Sequence, residues 1–157
     1  MIFASVGTQL PFPRLMRALA EVDTAEDICA QIGEDEATYP FDTHRFLKRE
    51  DYRHLTQSAR VLVAHAGMGS VLTAMQIRKP LILMPRRAHL GEHRTDHQIH
   101  TVDKLHGRDG LYIAHSTAEL RAHLAGPLSP ASSQISAERQ ALVQTLRAFV
   151  MQQRAEG

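Results

Sequence analysis

The stretch that most constrains this chain is Val61-Leu62-Val63-Ala64-His65-Ala66-Gly67-Met68-Gly69-Ser70-Val71-Leu72. Its first four residues are uniformly apolar, which suits a strand buried on both faces, as in a parallel sheet. A turn with two glycines follows, and Val71–Ile77 then reads as a helix. A buried strand feeding a helix is the start of a βαβ unit, and sheets made of such units carry helices on both faces. The glycines let the backbone approach a ligand closely. A helix starting at Gly69-Ser70 offers unpaired N–H groups and the positive end of its dipole. The loop His65–Ser70 is therefore a candidate diphosphate site, with His65 and the Ser70 hydroxyl as further donors. Alone, the pattern is not specific: it lacks the third glycine of the dinucleotide fingerprint and the Gly-Lys-Ser/Thr of a P-loop. A plain tight strand-to-helix turn satisfies it as well.

The alternation of strand and helix runs along the whole chain. Ile2–Val6 is a strand ended by Gly7-Thr8, and Pro11 and Pro13 open a helix carrying Leu15, Met16, Leu19 and Val22. Strands follow at Asp27–Ile32 and His44–Leu47, then a helix at Asp51–Ala59. Leu81–Met84 and Leu111–Ala114 are further strands. Arg86–Gly91 reads as a polar loop and Glu92–Leu105 as a helix. Ser116 caps a helix through Leu124. This order predicts an α/β fold with a Rossmann-like parallel sheet and helices on both faces. Residues 1–126 form the domain, 127–133 a Pro- and Ser-rich linker and 134–157 a C-terminal helix. Ile135, Leu142, Leu146, Phe149 and Val150 share one face of that helix, which either folds back or docks a partner.

Charge narrows the function. Formal net charge is +1, which argues against nucleic acid as a partner. A single cysteine, Cys29, excludes an internal disulfide and suits a reducing compartment; it reads as a small core residue. No apolar run approaches the ~18 residues of a membrane span. The N-terminus lacks the basic region of a signal peptide, so a cytoplasmic location is expected. His89, His93, His97 and His100 invite a metal reading, with His93 and His97 one helical turn apart. The glutamate of a His-Glu-x-x-His motif is absent, and no metal or other cofactor is expected. Arg86-Arg87 and Arg94 read as a solvated loop or as a basic patch for an anionic surface.

Three pieces acquire meaning together: Val6-Gly7-Thr8, His65-Ala66-Gly67-Met68-Gly69-Ser70, and Lys79-Pro80-Leu81-Ile82-Leu83-Met84-Pro85 followed by Glu92-His93-Arg94-Thr95-Asp96-His97-Gln98. In this order they resemble the C-terminal, donor-binding half of GT-B glycosyltransferases of family 28, over roughly residues 2–105. They are most similar to the stand-alone members, PssE and the catalytic subunit of the eukaryotic two-part N-acetylglucosaminyltransferase. The resemblance implies half of a GT-B fold that binds a UDP-sugar. Gly7 and Thr8 would lie beside the donor, and His65, Gly67, Met68, Gly69 and Ser70 would hold the diphosphate. Glu92, His93, Asp96 and Gln98 would line the same cleft, with Gln98 meeting the sugar hydroxyls. His65 is the catalytic candidate, in an electrostatic role. Many relatives carry a ribose-binding Glu eight residues after the His; here that position is Thr73, which cannot supply a charged bidentate acceptor. Glu92 is the candidate replacement. No Asp-x-Asp is present to carry a catalytic Mg²⁺. The resemblance further implies a PssD-like membrane-associated subunit that supplies the lipid-linked acceptor, placing the chain at the inner membrane through that partner in polysaccharide biosynthesis. A non-catalytic nucleotide-sugar-binding or scaffold module is the other reading.

Overall fold

The computed structural model describes residues 1–132. The helix expected over 134–157, and its docking role, lie outside the described residues. Among the described residues six strands form one sheet: β1 (Ile2–Ser5), β2 (Ile28–Gln31), β3 (Asp42–His44), β4 (Val61–His65), β5 (Leu81–Met84) and β6 (Leu111–Ile113). The helices are α1 (Pro13–Ala20), α2 (Arg49–Ser58), α3 (Met68–Ile77), α4 (His97–Leu105) and α5 (Thr117–Ala125). Strand order is β3-β2-β1-β4-β5-β6 and every pairing is parallel. That is the doubly wound order expected for a Rossmann-like sheet.

The alternation of side chains along each strand sorts the core into two layers. Ile2, Ala4, Val61, Val63, Ile82 and Met84 face Leu15, Met16 and Leu19 of α1 and Leu120 and Leu124 of α5. Phe3, Leu62, Ala64, Leu81 and Leu83 face Val71, Ala74 and Met75 of α3 and Val102 and Leu105 of α4, with Tyr52 and Leu55 of α2 packed alongside. Because both faces are covered, β1, β4 and β5 can be apolar at every position but their last polar residues, Ser5 and His65. Each buried large aliphatic side chain contributes roughly 1.5–3 kcal/mol by leaving water. The edge strand β3 is short and polar, which suits an edge.

Local chemistry sets the ends of the elements. Pro13 occupies the first turn of α1, where its missing N–H costs nothing. The expected cap at Ser116 forms: its Oγ accepts from the Glu119 N–H at 3.2 Å, and Glu119 accepts from the His115 N–H at 2.8 Å. Three elements differ from expectation by more than a residue or two at one end. β3 spans Asp42–His44 instead of His44–Leu47; beyond it the Arg45 carbonyl accepts from the Gly33 N–H, and the Gln31 side chain accepts the Leu47 N–H at 3.1 Å. α3 starts at Met68, with Gly67 as its cap residue. α4 starts at His97, not Glu92. Gly91 takes a left-handed φ of 70°, and the Asp96 carbonyl accepts from Ile99 and His100. The segment 127–132 is seated on the domain: Ser129 N–H donates to the Tyr112 hydroxyl, Ser132 N–H to the Asp109 carbonyl, and Ala131 is buried.

From β1 the chain winds outward through β2 and β3, then returns to add β4 on the other side of β1. Loops leaving β1 and β4 therefore diverge, and a crevice opens at their carboxyl ends.

Candidate functional site

A cleft of about 690 Å³ occupies that crevice. Gly7, Thr8, His65, Gly69, Ser70, Thr73, His93 and Gln98, all singled out in the sequence, line it. The other four do not. Gly67 packs beneath the His65 ring, and Met68 is partly exposed. Asp96 is exposed and accepts the Ala88 N–H at 2.8 Å. Glu92 is committed elsewhere: its carboxylate takes the Arg14 fork at 2.6 and 2.9 Å and the Arg87 N–H at 2.8 Å. Burial alone would raise its pKa, but Arg14, the Arg87 N–H and Arg86 outweigh it and hold the carboxyl below the usual range. Glu92 is thus held by Arg14 and the Arg87 N–H outside the cleft lining.

His65 ends β4, and its ring fills a slot that only glycines leave open. A Cβ on Gly67 would stand 2.3 Å from its Nε2, and one on Gly7 2.7 Å from its Cε1. Gly7 also has a φ of 81°, so glycine is required there twice over. The ring's Nδ1 is buried and turned away from the solvent-filled part of the cleft. Burial and then the nearby Arg86 guanidinium bring the His65 pKa down to about 4; the Ser5 backbone opposes them and His93 adds a smaller push downward. The ring is neutral at pH 7 and offers one N–H.

Behind it, α3 begins. Met68, Gly69 and Ser70 form its first turn, whose N–H groups have no acceptor within the helix. Apart from its chain neighbours and the backbone of its own helix, no atom lies within 4 Å of where a Gly69 Cβ would be, so this side of the first turn is open. Gln98 fixes the surrounding loops: its Oε1 accepts from the N–H groups of Ala66 (3.2 Å) and Arg86 (3.1 Å). With the oxygen so engaged, the amide NH₂ is the part left for the cleft.

Arg86 corrects an expectation. It is not in a solvated loop but is 2% exposed. Its guanidinium donates to the carbonyls of Val6 (3.0 Å), Leu10 (2.7 Å), Pro11 (2.6 Å) and Glu92 (3.3 Å), and it stacks 4.5 Å over the Phe12 ring. Burial lowers its pKa to about 10, with Glu92 opposing, so it is a fixed cation in the wall of the cleft at neutral pH. Gln31, Arg49 and Tyr52 also line the cleft and carried no sequence signal, since they come from β2 and α2. Among the lining residues there is no Asp or Glu. A helix N-terminus, a buried arginine and no carboxylate make a site for an anion.

The histidine cluster does not assemble as read. His93 precedes α4 and shares no helical turn with His97. Its Nδ1 lies 3.1 Å from the Thr95 carbonyl. Cys29 is buried as expected, and burial, then Asp42, push its thiol up to about 11. That is no nucleophile at neutral pH.

The depressed His65 pKa has a stability consequence. Between its unfolded value near 6.5 and about 4, only the unfolded chain takes up the proton. The stability that the neutral His65 ring contributes is therefore lost as pH falls through that window, by up to ~3 kcal/mol, and its loss is complete below it. Urea unfolding at pH 7 and pH 4.5 should show this loss, and His65→Asn should shrink it. An unchanged pH dependence in the variant would contradict the buried neutral ring.

Comparison with known proteins adds the following. A family model described as the glycosyltransferase family 28 C-terminal domain matches residues 15–153. No curated protein sequence matches the chain. Among solved structures, the glycotransferase of kitacinnamycin aligns with 20% identity and a TM-score of 0.54, over 77% of this chain and 32% of that one. The glycosyltransferase SnogD from Streptomyces nogalater aligns with 20% identity and a TM-score of 0.45, over 78% and 31%. The chain thus spans about a third of the length of both. The first likeness shows the fold, the Rossmann-like half of a GT-B architecture.

Proposed function

The chain belongs to the glycosyltransferase family 28 C-terminal domains, and from that premise we propose that it is the donor-binding, catalytic subunit of a two-component transferase. Its cleft binds the diphosphate of a UDP-sugar, and a PssD-like membrane-associated subunit brings the lipid-linked acceptor. The observation that carries this reading is the convergence of the α3 N-terminus, the His65 ring and the buried Arg86 on one carboxylate-free cleft. Negative charge builds on the leaving diphosphate as the glycosidic bond breaks. The first-turn N–H groups of α3 and the field of Arg86 are already oriented toward it, and such preorganised donors lower the barrier without reorganisation. The His65 N–H adds a donor at the strand end. Gln98 positions the two loops and offers its amide to a sugar hydroxyl.

The acceptor hydroxyl needs a base. The cleft lining holds no carboxylate, and His65 with a pKa of about 4 is a poor proton acceptor at neutral pH. A partner that supplies the base fits both facts, and with them the finer resemblance to PssE and to the eukaryotic two-part enzyme. The same partner would hold the chain at the cytoplasmic side of the inner membrane, in polysaccharide assembly. Among the described residues no helix is long and apolar enough to cross a membrane. Residues 1–126 would be the donor domain and 134–157 the docking helix.

Thr73 in the cleft and the engagement of Glu92 favour one alternative, a module that binds or scaffolds without turnover. Co-expression with a PssD-like subunit, followed by transfer of labelled sugar from UDP-sugars to a lipid acceptor, separates the two. Transfer by the pair, and by neither subunit alone, is the expected result. A stable pair that binds UDP-sugar yet transfers nothing would establish the scaffold.

A further inference from the structure

A second set of side chains converges at the β2–β3 edge of the sheet. β2 and β3 pair in parallel with Cys29 opposite Asp42 and Gln31 opposite His44. Residues two apart on a strand share a face, so Asp42 and His44 project together, and Cys29 meets them from the neighbouring strand. One donor atom from each of Cys29, Asp42 and His44 lies within 4.8 Å of the others. The His44 Nε2 is 3.1 Å from the Asp42 Oδ2. We propose that Cys29, Asp42 and His44 form a binding site for one divalent cation of the zinc class.

The donor set decides the class. One sulfur, one imidazole nitrogen and one carboxylate oxygen suit a borderline ion such as Zn²⁺; Mg²⁺ and Ca²⁺ require oxygen ligands. Zinc bonds of ~2.0–2.3 Å need the three atoms drawn closer than they stand. The two outer ligands can move: the Asp42 and His44 side chains are 66% and 41% exposed, while Cys29 is fixed in the core at 5% exposure. Access is present, since a cavity of about 640 Å³ is lined by Cys29, Asp42 and Phe41 together with Met1 and Ile28 at the amino ends of β1 and β2. Three protein ligands leave the fourth position to water. The ion would clamp the three-residue edge strand β3 onto β2, with His44 beside Gln31 of the cleft lining.

Co²⁺ titration of the full chain tests this. Cobalt takes zinc's place, and a thiolate ligand gives a charge-transfer band in the near ultraviolet. One equivalent should produce that band, and one equivalent of Zn²⁺ should erase it. Cys29→Ser should abolish the band. Because Cys29 is buried, His44→Ala, a partly exposed position, serves as the second variant. Its Zn²⁺ affinity should fall at least ~10-fold, as even a change in outer-shell partners can cost that much. A wild-type chain without the thiolate band would overturn the site. So would His44→Ala binding as tightly as wild type, which would move the ion to the exposed histidines around α4.

Discussion

Arg86→Met is expected to lower the unfolding free energy by about 3–5 kcal/mol, the scale of breaking a buried charged network. Methionine keeps much of the volume and removes every donor. Four carbonyls, those of Val6, Leu10, Pro11 and Glu92, then lose a charged partner, and a buried acceptor left unpaired costs roughly 1–3 kcal/mol. Water entering from the cleft offsets part of that sum, which keeps the expectation below the full total. The affected carbonyls lie on the segment from β1 to α1 and on the β5–α4 loop, two walls of the cleft. Lysine retains charge but not the planar fork, so Arg86→Lys should recover only a minor part of the loss. Urea denaturation of the three proteins measures this. A methionine variant within ~1 kcal/mol of wild type would mean that the cleft wall does not depend on the guanidinium.

Gly67→Ala should cut UDP affinity at least tenfold, about 1.4 kcal/mol, and cost a further ~1–3 kcal/mol of stability by overpacking. Gly67 has a φ of −93°, so backbone strain is not the reason. The reason is the His65 ring, 2.3 Å from the added methyl and backed by Gly7 on its other side. Either the ring leaves its slot or the start of α3 moves, and both displace donors from the diphosphate. Gly69→Ala is the informative contrast. Nothing in the protein opposes a methyl there, and alanine suits a helix better than glycine by up to ~1 kcal/mol. That variant should fold at least as well as wild type yet bind UDP more weakly, because the methyl takes the open space beside the first turn. Unimpaired UDP affinity in Gly69→Ala would place the phosphates elsewhere.

The architecture was largely legible. Strands such as Val61–Ala64 and Leu81–Met84 are apolar because they are buried on both faces, and that leaves a direct trace in the sequence. Boundaries set by side-chain hydrogen bonds left none. Beyond β3 the chain is held by Gln31, sixteen residues before Leu47, whose side chain accepts the Leu47 backbone N–H. α4 starts late while Glu92 is bound to Arg14, 78 residues away. The β4 loop drew notice because its two glycines are local chemistry, whereas Gly7 and Thr8 were placed beside it by the family resemblance alone. Arg86 was misread because an arginine beside another arginine and a polar loop looks solvated. Only the fold reveals that four carbonyls surround it. Glu92 and Asp96 were assigned to the cleft by position in a motif, and the structure turns both to loop-holding contacts instead. The Cys29, Asp42 and His44 set was invisible for the opposite reason, since strand pairing brings together residues that no sequence spacing connects.

The measurement that bears most directly on the account is calorimetric titration of the chain with UDP, GDP and a panel of UDP-sugars, without added metal and repeated on the chain paired with its partner subunit. The account predicts saturable binding selective for the uridine ligands, with the diphosphate supplying most of the affinity. A folded chain that binds no nucleoside diphosphate, alone or paired, would contradict it.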